Sequence, residues 1–145
     1  FPVEPKAQGD AFESPLRGLD NVILTPHVGG STQEAQEEIG HFVANKLAGF
    51  VLEGRTELSV NLPAVMAPQL HTGTRVGFLH HNVPGVLAEV NALVAASGVN
   101  VTGQYLATTG EQGYVVTDVD GPLPTEVLAT LGESEHCLWV RGFEA

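Results

Sequence analysis

The second half of the chain alternates β-prone runs with helical runs, and this order restricts the possible folds more than any other feature. Gly and Pro residues separate the runs, as expected where a chain turns. The predicted elements are strands at 75–80, 99–108, 114–120 and 137–143, and helices at 84–96 and 125–131. Their order is βαββαβ, which predicts an α+β fold.

The first half of the chain lacks this alternation. Residues 1–20 hold scattered Pro and Gly residues and predict an irregular loop. Residues 22–25 are a short β-type run, and residues 32–52 repeat apolar side chains at helical spacing. Ser31 and Glu34 have the spacing of a capping box at the start of that helix. The first half therefore predicts a loop, a strand and a long helix.

A segment rich in turn-forming residues separates the two halves. It contains a short β-prone run at 58–62, followed by Pro63, Pro68 and Gly73. We predict three parts: a first unit at 1–57, a linker at 58–73 and a second unit at 74–145. The βαββαβ order of the second unit is the split-βαβ pattern of ferredoxin-like domains.

The composition argues against several classes of function. The chain has 145 residues, of which 17 are acidic and 6 are Lys or Arg, for a formal net charge of −11. Neither half offers a basic face to a phosphate backbone, so we expect no nucleic-acid binding. No apolar run approaches the roughly 20 residues that a membrane-spanning helix needs. Cys137 is the single cysteine, so no intrachain disulfide can form, and we expect a cytoplasmic location.

Several motifs together resemble a known enzyme family. The run VILTPHVGGSTQEAQ at 22–36 is similar to the end of the substrate domain of D-2-hydroxyacid dehydrogenases, an α/β domain. The other motifs are FPVEP at 1–5, SVNLP at 59–63, HHNVPGVLAEVNALVAASGVNVTGQYL at 80–106 and GYVV at 113–116. The combination resembles NAD-dependent members of the family that act in L-serine biosynthesis. Because the chain begins with Phe, we expect its N-terminus to be an interior position of a longer chain. The resemblance implies that the chain is the C-terminal part of such an enzyme.

The resemblance implies a catalytic His–Glu pair. Its His falls on His27, within TPHVGGS, and its Glu falls on Glu4, within FPVEP. Oxidation of a secondary alcohol needs a base for the hydroxyl proton, and an imidazole titrates in the right range. A carboxylate on the other ring nitrogen fixes the tautomer and stabilises the imidazolium. Without the resemblance, His27 is an ordinary residue between a strand and a helix, and Glu4 is a solvated loop carboxylate.

The sequence lacks two parts that a dehydrogenase of this family needs. There is no G-x-G-x-x-G fingerprint followed by an acidic residue, so we expect no site for NAD in these residues. The resemblance also implies a catalytic arginine that lies upstream of the sequence. Hydride chemistry belongs to the cofactor. We therefore expect NAD in the parent enzyme, and neither cofactor binding nor dehydrogenase activity in this chain alone.

The ferredoxin-like half resembles an ACT domain, a small amino-acid-sensing module. The resemblance rests on the N-x-PG-hydrophobe-L motif at 82–87 and on GVNV at 98–101. It implies paired ACT domains in a homotetrameric parent, with L-serine bound at their interface by His80, Asn82 and Asn100. An Asn amide both donates and accepts hydrogen bonds, and the start of the following helix favours a carboxylate.

Other interpretations of the ACT-like half stay open. Asn82 and Asn100 are also typical of turns and caps. The unit could therefore sense another amino acid such as glycine, or only join subunits. Thr72–Gly73 stands where the family often has two glycines, and Val83 stands where it often has a charged residue. Both departures bear on the strength of serine inhibition.

The histidines do not predict a metal site. The candidates in the second half are His71, His80, His81 and His136. Adjacent residues on a strand point to opposite faces, so His80 and His81 should not share one ion. No Cys or carboxylate spacing completes a zinc set. We therefore predict no metal in this chain.

Overall fold

The computed structural model describes Gly9 and residues 11–145. The chain divides into two compact units, Phe1–Gly40 and His41–Ala145. Helix α1 (Gln33–Glu53) contributes residues to both of them. Among the described residues, no helix combines the length and the apolar character needed to cross a bilayer.

The first unit consists mainly of turns before helix α1. The predicted strand at 22–25 is wrong, because no described segment pairs with these residues and an isolated strand has no hydrogen-bond partner. The predicted capping box of Ser31 and Glu34 is also wrong, because the helix cap lies one residue further along the chain. The cap is Thr32, whose Oγ1 accepts a hydrogen bond from the Ala35 N–H at 3.1 Å. Ala35 has no side-chain group that could return the bond, so the reciprocal box does not form.

The predicted long helix is confirmed, and it ends at a glycine. Helix α1 stops at Glu53, and Gly54 follows with a φ of 67°. This left-handed conformation suits glycine because it has no Cβ. A Cβ at Gly54 would also lie only 2.8 Å from the Phe143 ring.

The second unit holds a four-stranded antiparallel sheet with the predicted βαββαβ order, which is confirmed. The elements that follow α1 are β1 (Thr74–His81), α2 (Val86–Ala96), β2 (Val101–Thr109), β3 (Gln112–Val119), α3 (Thr125–Glu133) and β4 (Cys137–Glu144). The spatial strand order is β2-β3-β1-β4, and every neighbouring pair is antiparallel. This is an α+β, ferredoxin-like architecture, with β2 and β4 at the edges.

Apolar clusters cover both faces of the sheet. The larger cluster packs helices α2 and α3 on one face; its buried members are Val76, Phe78, Val86, Val90, Val94, Val115, Val119, Val127 and Leu131. The α2 valines recur every four residues, which places them on one side of the helix. Fully burying such a side chain contributes about 1.5–3 kcal/mol. On the other face, Tyr114 and Val116 pack with Val65 and Ala67, so the segment before β1 covers that face.

Residues 55–65 form a closed loop, and the β-prone run at 58–62 lies within it, in the segment predicted as a linker. Three hydrogen bonds of Thr56 join the two ends of the loop. Its Oγ1 donates to the Pro63 carbonyl at 2.7 Å and accepts from the Val65 N–H at 2.8 Å. Its backbone N–H donates to the Val65 carbonyl at 3.0 Å. These bonds satisfy the loop without a strand partner.

Arg75 on β1 joins the sheet to the end of α1. Its side chain is fully buried and makes a bidentate ion pair with Asp118, at 2.6 Å and 2.8 Å. Its guanidinium also donates to the carbonyls of Glu53 at 3.1 Å and Pro68 at 2.7 Å. Burial by itself lowers the pKa of Arg75, but the hydrogen bond and charge of Asp118 outweigh it and raise the pKa above its ordinary value. The guanidinium is therefore a permanent charge that fixes three segments.

Candidate functional site

His80 lies near the end of β1 and is buried, with 3% of its surface exposed. Its ring stacks on Phe78 with centroids 5.5 Å apart, and its Nδ1 lies 2.8 Å from the carbonyl oxygen of His81. Because a carbonyl oxygen only accepts, Nδ1 carries the proton and donates it. In the neutral ring Nε2 is then an acceptor, and this buried atom has no hydrogen-bond partner. His81 is exposed, which confirms that the two histidines point to opposite faces.

The space for the His80 ring depends on a glycine in the neighbouring strand. His80 stands opposite Gly113 in the β1–β3 register. A Cβ at Gly113 would collide with the imidazole ring. Strands β1 and β3 are not consecutive in the chain, so the sequence alone did not reveal this requirement.

Asn82 follows β1 and is held at the β2–β3 turn. Its backbone N–H donates to the Glu111 carbonyl at 2.8 Å, and its side-chain Nδ2 donates to the Gly110 carbonyl at 3.2 Å. The side chain is exposed. Because the amide nitrogen faces the turn, the amide oxygen is left as an acceptor for a further group.

A cavity of about 310 Å³ joins these residues to the start of helix α2. Its lining comprises His80, Asn82, Val83, residues 84–88 and Leu106. Gly85 is the N-cap residue of α2, with a φ of 101° and no side-chain cap hydrogen bond. The first N–H groups of the helix are therefore not satisfied by a cap, and the positive end of the helix dipole favours a carboxylate.

Asn100 lies at the opposite end of the sheet from His80. It precedes β2, where Val101 pairs with Val119, whereas Thr109 at the far end pairs with Gln112. At about 3.4 Å per residue, the length of β2 separates the two ends by roughly 25 Å. The structure thus brings His80 and Asn82 together, but within one chain it does not bring Asn100 to them.

Asn100 is held by Asp120, a residue that the sequence analysis missed. The Asn100 backbone N–H and its Nδ2 donate to the two carboxylate oxygens of Asp120, each at 2.9 Å. Counting pairs back from the β2–β3 turn could have suggested this contact. The count is shifted by one residue, however, because the register changes between Val101 and Gly103.

The predicted catalytic residues are not tested by the geometry. His27 is exposed and lies in a turn where the Val28 N–H donates to the Pro26 carbonyl at 2.9 Å. Glu4 lies outside the described residues. In the part of the chain that the structure describes, no group of three His, Cys, Asp or Glu side chains is arranged to hold a metal ion.

Comparison with a family model defines the class of the second unit. Residues 77–133 match the model described as "AHAS small subunit-like ACT domain". The βαββαβ order and the antiparallel sheet agree with that match. The second unit is therefore an ACT-like domain.

Curated relatives extend the similarity to most of the chain. The chain is 52% identical over 120 residues to a D-3-phosphoglycerate dehydrogenase of Escherichia coli (strain K12), covering 83% of this chain and 29% of that enzyme. It is 45% identical over 142 residues to the D-3-phosphoglycerate dehydrogenase of Haemophilus influenzae, covering 97% of this chain and 34% of that enzyme. D-3-phosphoglycerate dehydrogenase 1 of Saccharomyces cerevisiae is 39% identical over 131 residues, with coverages of 82% and 28%.

The chain is thus a relative of the D-3-phosphoglycerate dehydrogenases and matches their C-terminal part. It spans about a third of the length of these enzymes. The relatives are oxidoreductases by name, and the match to the ACT family model, at residues 77–133, lies in the second half of this chain.

Proposed function

We propose that this chain is the C-terminal part of an NAD-dependent D-3-phosphoglycerate dehydrogenase whose ACT domain binds L-serine as a feedback inhibitor. The parent enzyme would oxidise 3-phospho-D-glycerate to 3-phosphohydroxypyruvate in the cytoplasm. Residues 1–57 would be the end of its substrate domain, 58–73 the linker and 74–145 the ACT domain. The observation that carries the effector assignment is His80, which is buried with an unpartnered Nε2 beside the uncapped start of α2.

The cavity offers complementary groups for a small amino acid. The first N–H groups of α2 would receive the carboxylate. His80 Nε2 is an acceptor, so it would accept a hydrogen bond from a hydroxyl group, which L-serine has and glycine lacks. The Asn82 side chain borders the same cavity and can accept or donate. A ligand donor at Nε2 would remove the cost of leaving that buried atom unpaired.

Pairing of two copies through β2 would complete the site. Strand β2 is an edge strand, and Val101 and Leu106 on it are 45% and 47% exposed. In an antiparallel pair related by a two-fold axis, the start of one β2 lies beside the end of the other. Asn100 of one copy would therefore approach the His80 and Asn82 end of its partner. A homotetrameric parent would contain such ACT pairs.

His27 and Glu4 would serve the dehydrogenase reaction of the parent enzyme. His27 would accept the hydroxyl proton of the substrate, and Glu4 would orient the imidazole. We expect no NAD site in the residues that the structure describes, because their sheet is antiparallel and lacks the parallel βαβ unit of dinucleotide sites. The chain alone should show no dehydrogenase turnover, and measurable NAD-dependent turnover would contradict this assignment.

Thermal unfolding with added amino acids tests the effector site. A ligand that binds only the folded state raises the unfolding midpoint by mass action. We expect millimolar L-serine to raise Tm more than glycine, D-serine or L-alanine, in a sample shown to be dimeric by sedimentation. Asn82→Ala should remove the shift, whereas Glu126→Gln, on the exposed first turn of α3, should retain it.

Two other functions would give different results in the same experiment. A shift selective for glycine would indicate an ACT module that senses another amino acid. A folded dimer with no shift for any amino acid would indicate a domain that only joins subunits. Either result would overturn the serine proposal.

A further inference from the structure

The contact between Asn100 and Asp120 fixes which side of the Asn100 amide can meet a ligand. A carboxylate accepts hydrogen bonds and cannot donate them when ionised. Both Asn100 groups that face the Asp120 carboxylate are therefore N–H donors, the backbone N–H and Nδ2, each at 2.9 Å. With its amide nitrogen turned towards Asp120, Asn100 keeps its Oδ1 as the acceptor for another group.

We propose that Asp120 is a positioning residue that holds Asn100 as a hydrogen-bond acceptor for the ammonium group of an amino acid bound by the partner copy. This inference rests on the proposed function, because it places Asn100 at the His80 and Asn82 end of a second chain. It adds an orientation for the ligand: the carboxylate lies at α2 of one copy and the ammonium lies at Asn100 of the other.

The charges of the two halves agree with this orientation. The start of α2 carries the positive end of a helix dipole, with no side-chain cap to neutralise it. The Asn100 half carries the full negative charge of Asp120. A zwitterion placed between them meets an opposite charge at each end, whereas a reversed ligand meets a like charge at each end.

Asp120 stays ionised over the range in which the protein would bind an effector. The hydrogen bond from the Asn100 side chain, and then that from its backbone, hold the pKa of Asp120 below its ordinary value. An ionised carboxylate cannot donate to Asn100, so the amide orientation persists at neutral pH.

The same contact also closes the end of the sheet. The Asp120 backbone N–H donates to the Asn100 carbonyl at 3.0 Å, next to the pairing of Val101 with Val119. A purely structural role would make every Asp120 variant lose stability without changing how the two halves of the site cooperate. The test therefore measures L-serine binding by individual variants and by mixed dimers.

Calorimetric titration with L-serine compares the wild-type chain with Asp120→Asn, Asp120→Glu and the charge control Glu126→Gln. In Asp120→Asn, one carboxylate oxygen becomes an NH₂ group, so Asn100 must turn its oxygen inward to keep two bonds. We expect the affinity to fall about tenfold or more, the effect of losing a hydrogen bond to a charged group. Asp120→Glu should keep most of the wild-type affinity for L-serine, because its carboxylate again only accepts hydrogen bonds. Glu126→Gln should bind as the wild type does.

A mixture of two defective variants tests the placement across the two copies. Asn82→Ala and Asp120→Asn are unfolded together and refolded as mixed dimers. One site of each mixed dimer carries both defects and the other carries neither. Random pairing should restore wild-type affinity at about a quarter of all sites. If the two substitutions act only through folding, or if each site lies within one chain, the mixture should restore no wild-type sites.

The outcomes separate this inference from the proposed function. If the wild-type chain binds no L-serine, the proposed function fails and the role of Asp120 fails with it. If the wild type binds and Asp120→Asn binds equally well, only the role of Asp120 is overturned. Failure of Asp120→Glu to restore affinity, or failure of the mixture to restore sites, also overturns it.

Discussion

Arg75 and His80 are buried basic side chains on the same strand, yet their surroundings differ in one respect. Arg75 bonds to Asp118, Glu53 and Pro68. His80 has one ring nitrogen bonded to its neighbour and the other left without a partner. A buried polar group without a partner costs about 1–3 kcal/mol, and a ligand or a second chain that supplied the missing bond would remove this cost. We infer that the Arg75 end of the sheet holds the structure together, and that the His80 end is half of a binding site.

Disrupting the ion pair at the Arg75 end should have the largest effect on stability. Asp118→Ala leaves a fully buried guanidinium without its carboxylate, and breaking a buried pair in this way costs about 3–5 kcal/mol. Urea unfolding should show a correspondingly lower midpoint, with Glu126→Ala as the exposed control. The double variant Arg75→Met/Asp118→Leu should recover much of the loss, because it leaves no buried charge. A loss below about 1 kcal/mol for Asp118→Ala would contradict the comparison.

Filling the space beside His80 should have the next largest effect. Gly113→Ala places a methyl group where the imidazole ring lies, and such overpacking typically costs about 1–3 kcal/mol. The displaced ring should also weaken L-serine binding. Gly121→Ala is the matched control, because its Cβ would meet Val99 at an ordinary 3.5 Å. Equal stability and equal binding for both variants would show that the His80 position is not critical.

Tyr114 offers a smaller test, of the contact between the sheet and the end of α1. Its hydroxyl donates to the Gly54 carbonyl at 2.7 Å, and Tyr114→Phe should lose about 1–2 kcal/mol in urea unfolding. Gly54 has Phe143 as a second ring neighbour, so Phe143→Leu serves as a comparison in which this hydrogen bond is retained. A variant as stable as the wild type would mean that the bond adds nothing to the attachment of α1.

The pH dependence of stability provides an independent measure of the same hydroxyl. Burial raises the pKa of Tyr114 from 10.0 to about 12, although the charge of Arg75 opposes this rise. The unfolded chain loses the proton near pH 10 and the folded chain near pH 12. This contribution is therefore complete below about pH 10 and is lost as the pH rises towards 12. The stability of Tyr114→Phe should therefore fall less between pH 10 and 12 than that of the wild type. Parallel stability profiles for the two proteins over this range would contradict the role of the Tyr114 hydroxyl.

Replacing His80 should have the smallest effect on stability and a large effect on binding. His80→Leu removes the unpaired Nε2 and keeps an apolar contact with Phe78. The His81 carbonyl keeps a donor, because the Val83 N–H also bonds to it at 2.9 Å. We expect a change in unfolding free energy within about 1 kcal/mol, together with loss of the L-serine shift in Tm. A large loss of stability would place His80 in the same class as Arg75.

The sequence predicted the elements of the ACT-like unit because their patterns are local. Apolar residues at helical spacing marked α1, and Pro and Gly residues marked where the strands and helices of the second unit end. The prediction of a strand at 22–25 was wrong because a strand exists only when another backbone pairs with it. The cap at Thr32 was missed by one residue, since Ser31 and Thr32 can both accept a backbone hydrogen bond.

For the candidate site, the sequence supplied the residue types and the tertiary structure supplied their contacts. His80, Asn82 and Asn100 stand in motifs that can be read along the chain. Three of these contacts depend on strand register. His80 is buried opposite Gly113, Asn100 bonds to Asp120, and Arg75 pairs with Asp118.

By itself, the sequence determined the order of elements in the ACT-like unit and its likeness to a dehydrogenase family. Only the tertiary structure decided which buried polar groups have a hydrogen-bond partner and which do not. The physical reason is that propensity and periodicity act over a few residues. The pairing of buried polar atoms, by contrast, is settled between residues far apart in sequence, as in Arg75 and Asp118, 43 positions apart.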